Sequence, residues 1–295
     1  DSGTRASTLN LTCLLAPNAS AHSHEMTVNQ MKALSSADLF LVNGVDLEHF
    51  LDDAVSSSGF HGTMVVSSGV ASANNAKAKD AAYTLDEGDE KVQVAPWPFP
   101  PEHGDTPEFQ YDPHVWTSPA NAAIQVHNIG AALTDKQPVL KPYVTEYENR
   151  LTKLDDWARQ SLESVPKDSR VLFTSHDAFG YFSHHYDVTF IGAALSDFNE
   201  QQDATAEHIR AAADEVKKSG AKALFAENSN NSKSIEAIAQ AAGVKAIVGD
   251  DALYGDSLGP EGSPGETYVG SIVHNVSTLV DAWGGTPAEL PADLH

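Results

Sequence analysis

A single cysteine, Cys13, in 295 residues leaves no internal disulfide and no thiolate cluster for a metal. Basic residues are scarce as well: 18 Lys and Arg stand against 41 Asp and Glu, a net charge of −23. No Lys/Arg cluster makes a local exception, so nucleic acid and anionic membrane are excluded as partners. No apolar run approaches the roughly 18–20 residues of a membrane helix. The opening Asp1-Ser2-Gly3-Thr4 has neither the basic nor the apolar region of a signal peptide. Fixed-period repeats, a His-Glu-x-x-His helix and a Gly-rich phosphate loop are also missing.

Histidine, by contrast, is plentiful, at 13 residues. Without thiols, imidazole is the main nitrogen or sulfur donor this chain has for a metal. The hydrophobic share of 41% supports a sizeable core, and the length suits two domains.

Short apolar runs alternate with amphipathic stretches, the pattern of βα units around a mostly parallel sheet. Buried strands are expected at Leu9–Leu15, Leu39–Val42, Met64–Val66, Val171–Thr174, Val188–Ile191, Ala223–Phe225 and Val244–Val248. Helices are expected at Asn121–Leu133, Ala204–Ser219 and Ser234–Ala242, the last two stopping at Gly220 and Gly243. Two segments break the alternation. Thr84–Asp112 is acidic and then proline-rich, and reads as a long surface loop. In Pro142–Val165, Val144, Tyr147, Leu151, Leu154, Ala158 and Leu162 recur at helical steps until Pro166. Such a helix can join two lobes stiffly, as a Gly/Ser linker cannot. The expected architecture is α/β: two βα lobes with mostly parallel sheets, 1–141 and 167–295, joined by one long rigid helix at 142–166.

Three histidines lie in or after loops that follow apolar strands, where open α/β sheets place ligands. These are His22, His114 in Asp112-Pro113-His114-Val115-Trp116, and His176 in Ser175-His176-Asp177-Ala178-Phe179-Gly180. Leu253–Gly259 offers a carboxylate in a Gly-rich turn. A lone histidine beside a strand is more often a cap or a surface residue, the role assigned to His61, His184, His185 and His295. His103, in the acidic loop, reads as solvated.

The stretch from Thr174 to Phe182 resembles the signature of the metal-ion solute-binding proteins of ABC importers. Other stretches resemble the same family in order: Ala21-His22-Ser23-His24-Glu25, Ala37–Gly44, Asp112–Trp116, Phe225-Ala226-Glu227, and Leu253–Gly259 with Thr267-Tyr268-Val269 and His274-Asn275. The likeness runs from about His22 to Leu279. It implies a metal in the cleft, with His22 and His114 from the first lobe and His176 and Asp256 from the second. Asp251 and Asp250 are the fallback for Asp256. His24, which stands where the family commonly has an aromatic, competes with His22. The family begins with a further strand and helix before the first histidine, so a βα unit looks missing or abbreviated here.

Three imidazoles and one carboxylate are a normal zinc set. Related manganese receptors place a glutamate where this chain has His176, and imidazole shifts preference toward zinc, with manganese or iron the other reading. A zinc hydrolase needs an open coordination position for water, whereas four protein ligands leave none. Asp112 and Asp177 are expected either to orient ligand imidazoles or to hydrogen-bond at the surface, and Glu227 to hydrogen-bond inside the fold. The resemblance therefore implies an extracytoplasmic zinc-capturing receptor, periplasmic or at the cell surface and with or without a lipid anchor. It would be monomeric, and would deliver metal to an ABC permease.

Overall fold

In a computed structural model, which describes residues 9–20, 22, 24–48, 51–72, 82–97, 110–194 and 204–295, the apolar runs form two separate parallel sheets. The first lobe begins with helix α1 (Val28–Ser35), opened by a capping box in which the Thr27 hydroxyl and the Gln30 side chain each accept the other's backbone N–H. Then come β1 (Leu39–Val42), α2 (Leu51–Ser58), β2 (Thr63–Val66) and β3 (Thr84–Asp86), with sheet order β1-β2-β3. Leu34, Phe40, Val42, Phe60, Met64 and Val66 form its core.

Helix α3 (Pro119–Lys136) carries proline in its first turn, where the missing N–H has no helical partner to lose. Next comes the long α4 (Lys141–Glu163), about 35 Å at 1.5 Å per residue. Its buried stripe is the expected Leu151, Leu154, Ala158 and Leu162, with Trp157 added.

The second lobe runs β4 (Val171–Thr174), α5 (Gly180–His185), β5 (Thr189–Ala193), α6 (Ala206–Ser219), β6 (Ala223–Phe225), α7 (Lys233–Ala242), β7 (Lys245–Ile247) and α8 (Tyr268–Trp283). Its sheet order is β5-β4-β6-β7, all parallel. The central strands β4 and β6 are buried throughout, which explains their unbroken apolar sequence. Helices α6 and α7 end at left-handed Gly220 and Gly243, as their sequences predict. The α4 stripe packs with α8 residues Val276, Leu279 and Val280 in the core of this lobe. Between the lobes, Val45, Val92 and Val115 of the first cluster with Tyr181 of the second. Among the described residues no helix is long and apolar enough to cross a membrane.

Two expectations need correction. Residues 9–15 form no strand: Leu9 is 45% and Leu11 76% exposed, and only Leu14 reaches the core of the first lobe. An apolar run becomes a strand only where a sheet edge accepts it. Thr84–Asp112 is not loop throughout either, since β3 opens it, paired in register with Thr63–Val65. Farther along, Pro96 and Tyr111 make an isolated antiparallel bridge, closed by Trp97 N–H to Gln110 O at 3.1 Å and Asp112 N–H to Ala95 O at 2.9 Å. His103 lies outside the described residues.

Candidate metal centre

The second-lobe half of the site is assembled at the C-terminal ends of strands. Thr174 of β4 pairs with Phe225 of β6, so His176 and Glu227, each two residues past its strand residue, arrive side by side. Glu227 Oε1 accepts the His176 backbone N–H at 2.9 Å, and Oε2 lies 3.1 Å from His176 Nδ1. A parallel bridge from Glu227 to Leu253 brings in the loop that carries Asp256. Asn275 of α8 pins that loop, accepting from Tyr254 N–H and donating to Tyr254 O, both at 2.8 Å.

From the first lobe, His114 caps a 3-10 turn at Val115–Thr117. Asp112 Oδ1 takes its backbone N–H at 3.0 Å and lies 2.7 Å from its Nδ1. Asn43 Nδ2 donates to Pro113 O at 3.0 Å, and Tyr181 of α5 donates to Asp112 O at 2.8 Å. His22 comes from the loop before α1, where its backbone N–H meets Ser20 Oγ at 3.1 Å.

These four side chains converge from both lobes. His22 Nε2 is 3.0 Å from His114 Nε2 and 3.4 Å from Asp256 Oδ2. His114 Nε2 is 3.5 Å from Asp256 Oδ1, and His176 Nε2 is 3.9 Å from Oδ2. All the donor atoms fall within 4.8 Å of one another, and no side chain is more than 3% exposed. A tetrahedral zinc with bonds near 2.0–2.2 Å spaces its donors roughly 3.3–3.5 Å apart, so the cage matches one such ion. The carboxylates on Nδ1 of His114 and His176 favour a proton there, which turns the Nε2 lone pair inward. Burial, with help from the neighbouring imidazoles and against the pull of Asp256, lowers the His22 pKa to about 4, so its ring is neutral at physiological pH. At Asp256 burial raises the pKa, but attraction to His176, His22 and His114 outweighs it and holds the carboxyl far below its usual range. A buried carboxylate facing three imidazoles is a donor set that a divalent cation completes.

Two glycines make room for the orienting carboxylates. A Cβ on Gly255 would stand 2.2 Å from Glu227 Oε2, and one on Gly180 would stand 2.5 Å from Asp112 Oδ2. All four expected site residues, His22, His114, His176 and Asp256, are thus brought together. His24 is not in the group, and Asp250 and Asp251 are exposed on a 3-10 turn. The expectation for Asp177 is corrected: it lines a separate cavity of about 250 Å³ with His208 and Glu215, and Glu227 holds His176 instead. A side chain next in sequence to a strand-end residue points away from it, whereas the same offset on the adjacent strand points alongside. Equal spacing past β4 and β6 was the available signal; Asn275 left none. Gly255-Asp256-Ser257-Leu258-Gly259 also spells a Gly-x-Ser-x-Gly elbow, but no helix follows before Tyr268 and Ser257 Oγ faces Asn228.

Residues 6–282 match the family described as zinc-uptake complex component A, periplasmic. The chain is 28% identical over 279 residues to the manganese-binding lipoprotein MntA of Bacillus subtilis, covering 92% of this chain and 82% of that protein. It is 29% identical over 276 residues to the zinc-binding protein TroA of Treponema pallidum, covering 91% and 80%. The solved structure of the Treponema pallidum periplasmic zinc-binding protein TroA superposes with a TM-score of 0.70 at 26% identity, over 92% of this chain and 89% of that one.

Proposed function

The chain belongs to the periplasmic zinc-uptake component A family of metal-binding receptors for ABC transporters, and from that premise we propose that it captures zinc and delivers it to an ABC permease. Members of this family are substrate-binding components and not enzymes. His22, His114, His176 and Asp256 are the ligands in this reading. The observation that carries it is the buried group of three imidazoles and one carboxylate, closed from two lobes. Four protein donors leave no position for an activated water, which suits capture and not hydrolysis.

The named relatives bind zinc in one case and manganese in another, so donor chemistry decides the metal. Manganese favours oxygen donors and more of them; three imidazoles with a single carboxylate favour zinc, as does the Irving–Williams order. The receptor works outside the cytoplasm, as the lipoprotein names of its relatives suggest, and it acts as a monomer with lobes 1–141 and 167–295 on the helix 142–166.

Elemental analysis after dialysis against equal zinc and manganese tests this. One zinc per chain is expected, with about 4 kcal/mol of added stability when free zinc is near a thousand times Kd. Retention of manganese over zinc would overturn the zinc assignment. Steady, chelator-sensitive ester or amide hydrolysis would overturn the receptor reading.

A further inference from the structure

We propose that Asn18 is the latch that holds the His22 loop closed over the metal, so that breaking its contacts sets the rate of release. The inference rests on the zinc-receptor reading above. Three of the four ligands are positioned by strand ends, a capped turn or buried carboxylates. His22 sits in a loop outside regular structure, and something has to hold that loop against the opposite lobe.

Asn18 does so with two bonds. Its backbone N–H donates to Leu258 O at 3.0 Å, and its Oδ1 accepts from Asn228 Nδ2 at 3.0 Å. The same Asn228 amide also donates to Ser257 O at 3.1 Å. Ser257 and Leu258 directly follow Asp256, and Asn228 directly follows Glu227. The loop that carries His22 is therefore fastened to the two second-lobe segments that already shape the centre. Asn18 is left-handed, at φ +59°. Asparagine adopts that conformation more readily than other residues with a side chain, so residue type and contact agree. The residue is exposed, which lets water compete for both bonds and the latch open. The long α4, packed along much of its length, makes a wide hinge movement between lobes an expensive route, and a loop latch is a cheaper one.

The step that reads this is zinc release into excess chelator, followed by stopped flow. Asn18→Ala loses the side-chain bond and disfavours the left-handed turn, and should release zinc about tenfold faster. Asn18→Gly keeps the turn and should release about threefold faster, while Asn18→Asp, which keeps an acceptor for Asn228, should stay near wild type. The metal-free melting temperature should be the same in all three. In a His22→Ala background, Asn18→Ala should change nothing further, because it acts through His22. Wild-type release from Asn18→Ala, or equal acceleration without His22, would overturn the latch and leave the receptor reading standing. Failure of the wild-type chain to bind zinc would overturn the receptor reading, and the latch with it.

Discussion

The two lobes reach the centre by different means. The second lobe delivers His176 and Glu227 from adjacent, fully buried strands whose register fixes their relative height, with Asn275 pinning the Asp256 loop from α8. Its ligands are held by the core of the lobe. The first lobe offers a sheet of three short strands, and its ligands come from a capped turn and from a loop. His114 is fixed by Asp112, Asn43 and Tyr181, the last of them donated by the other lobe. His22 depends on contacts across the cleft. A receptor that has to hold a metal and then give it up gains from this asymmetry: a rigid half-site defines selectivity, and a half-site made of loops can leave.

The largest test of this contrast is removal of one ligand from each half. His176→Ala should weaken zinc by well over roughly a hundredfold, beyond what loss of an orienting partner costs. His22→Ala should weaken it less and accelerate release more, because the remaining three donors stay in place; titration by a competing chelator measures both. Equal losses would erase the distinction. His103→Ala should leave the affinity unchanged. Next come the orienting carboxylates. Glu227→Gln should lower zinc affinity by roughly ten- to a hundredfold, through a weaker hold on the His176 tautomer. Asp112→Asn should do the same at His114, and calorimetry of both sets the two halves side by side.

The smallest effect lies on the surface of the first lobe. His127 of α3 stands between Asp89, 3.1 Å from its Nε2, and Glu148 of α4, 3.2 Å from its Nδ1. Slight burial opposes the charged ring, but Glu148, Glu90 and Asp89 prevail and raise its pKa. A group whose pKa rises on folding adds stability that is complete below about 6.5, its unfolded value, and is lost as pH climbs through the folded one. The melting temperature should therefore fall by about one degree more between pH 6 and 8 in wild type than in His127→Gln, and less at high salt. An identical pH profile in the two proteins would show that the pair does not tie the acidic segment down.

Much of this was legible in the chain. Central strands β4 and β6 are uniformly apolar because both their faces are covered, and α4 writes its buried stripe at helical spacing. Glycine marks the ends of α6 and α7 through its freedom to turn left-handed. Of the ligand histidines only His176 directly follows a strand, β4, whereas His22 and His114 were legible through the motifs around them. Residues 9–15 misled because strand propensity says only that a segment fits a pleated surface, not that an edge is there to receive it. Asp177 misled because proximity in sequence is not proximity of side chains.

What the sequence determined by itself is the kind of chemistry and the places that supply it: imidazole and carboxylate donors instead of thiolates, set in loops between regular elements. These follow from residue type and local periodicity, which need no partner. Tertiary structure alone decided which carboxylate serves which histidine, why Asp256 and not Asp251 or Asp250 faces the cage, and how the His22 loop is fastened. Those outcomes depend on the register of β4 against β6 and on the approach of one lobe to the other. Such distances between segments far apart in the chain are set by packing, and packing is a property of the whole fold.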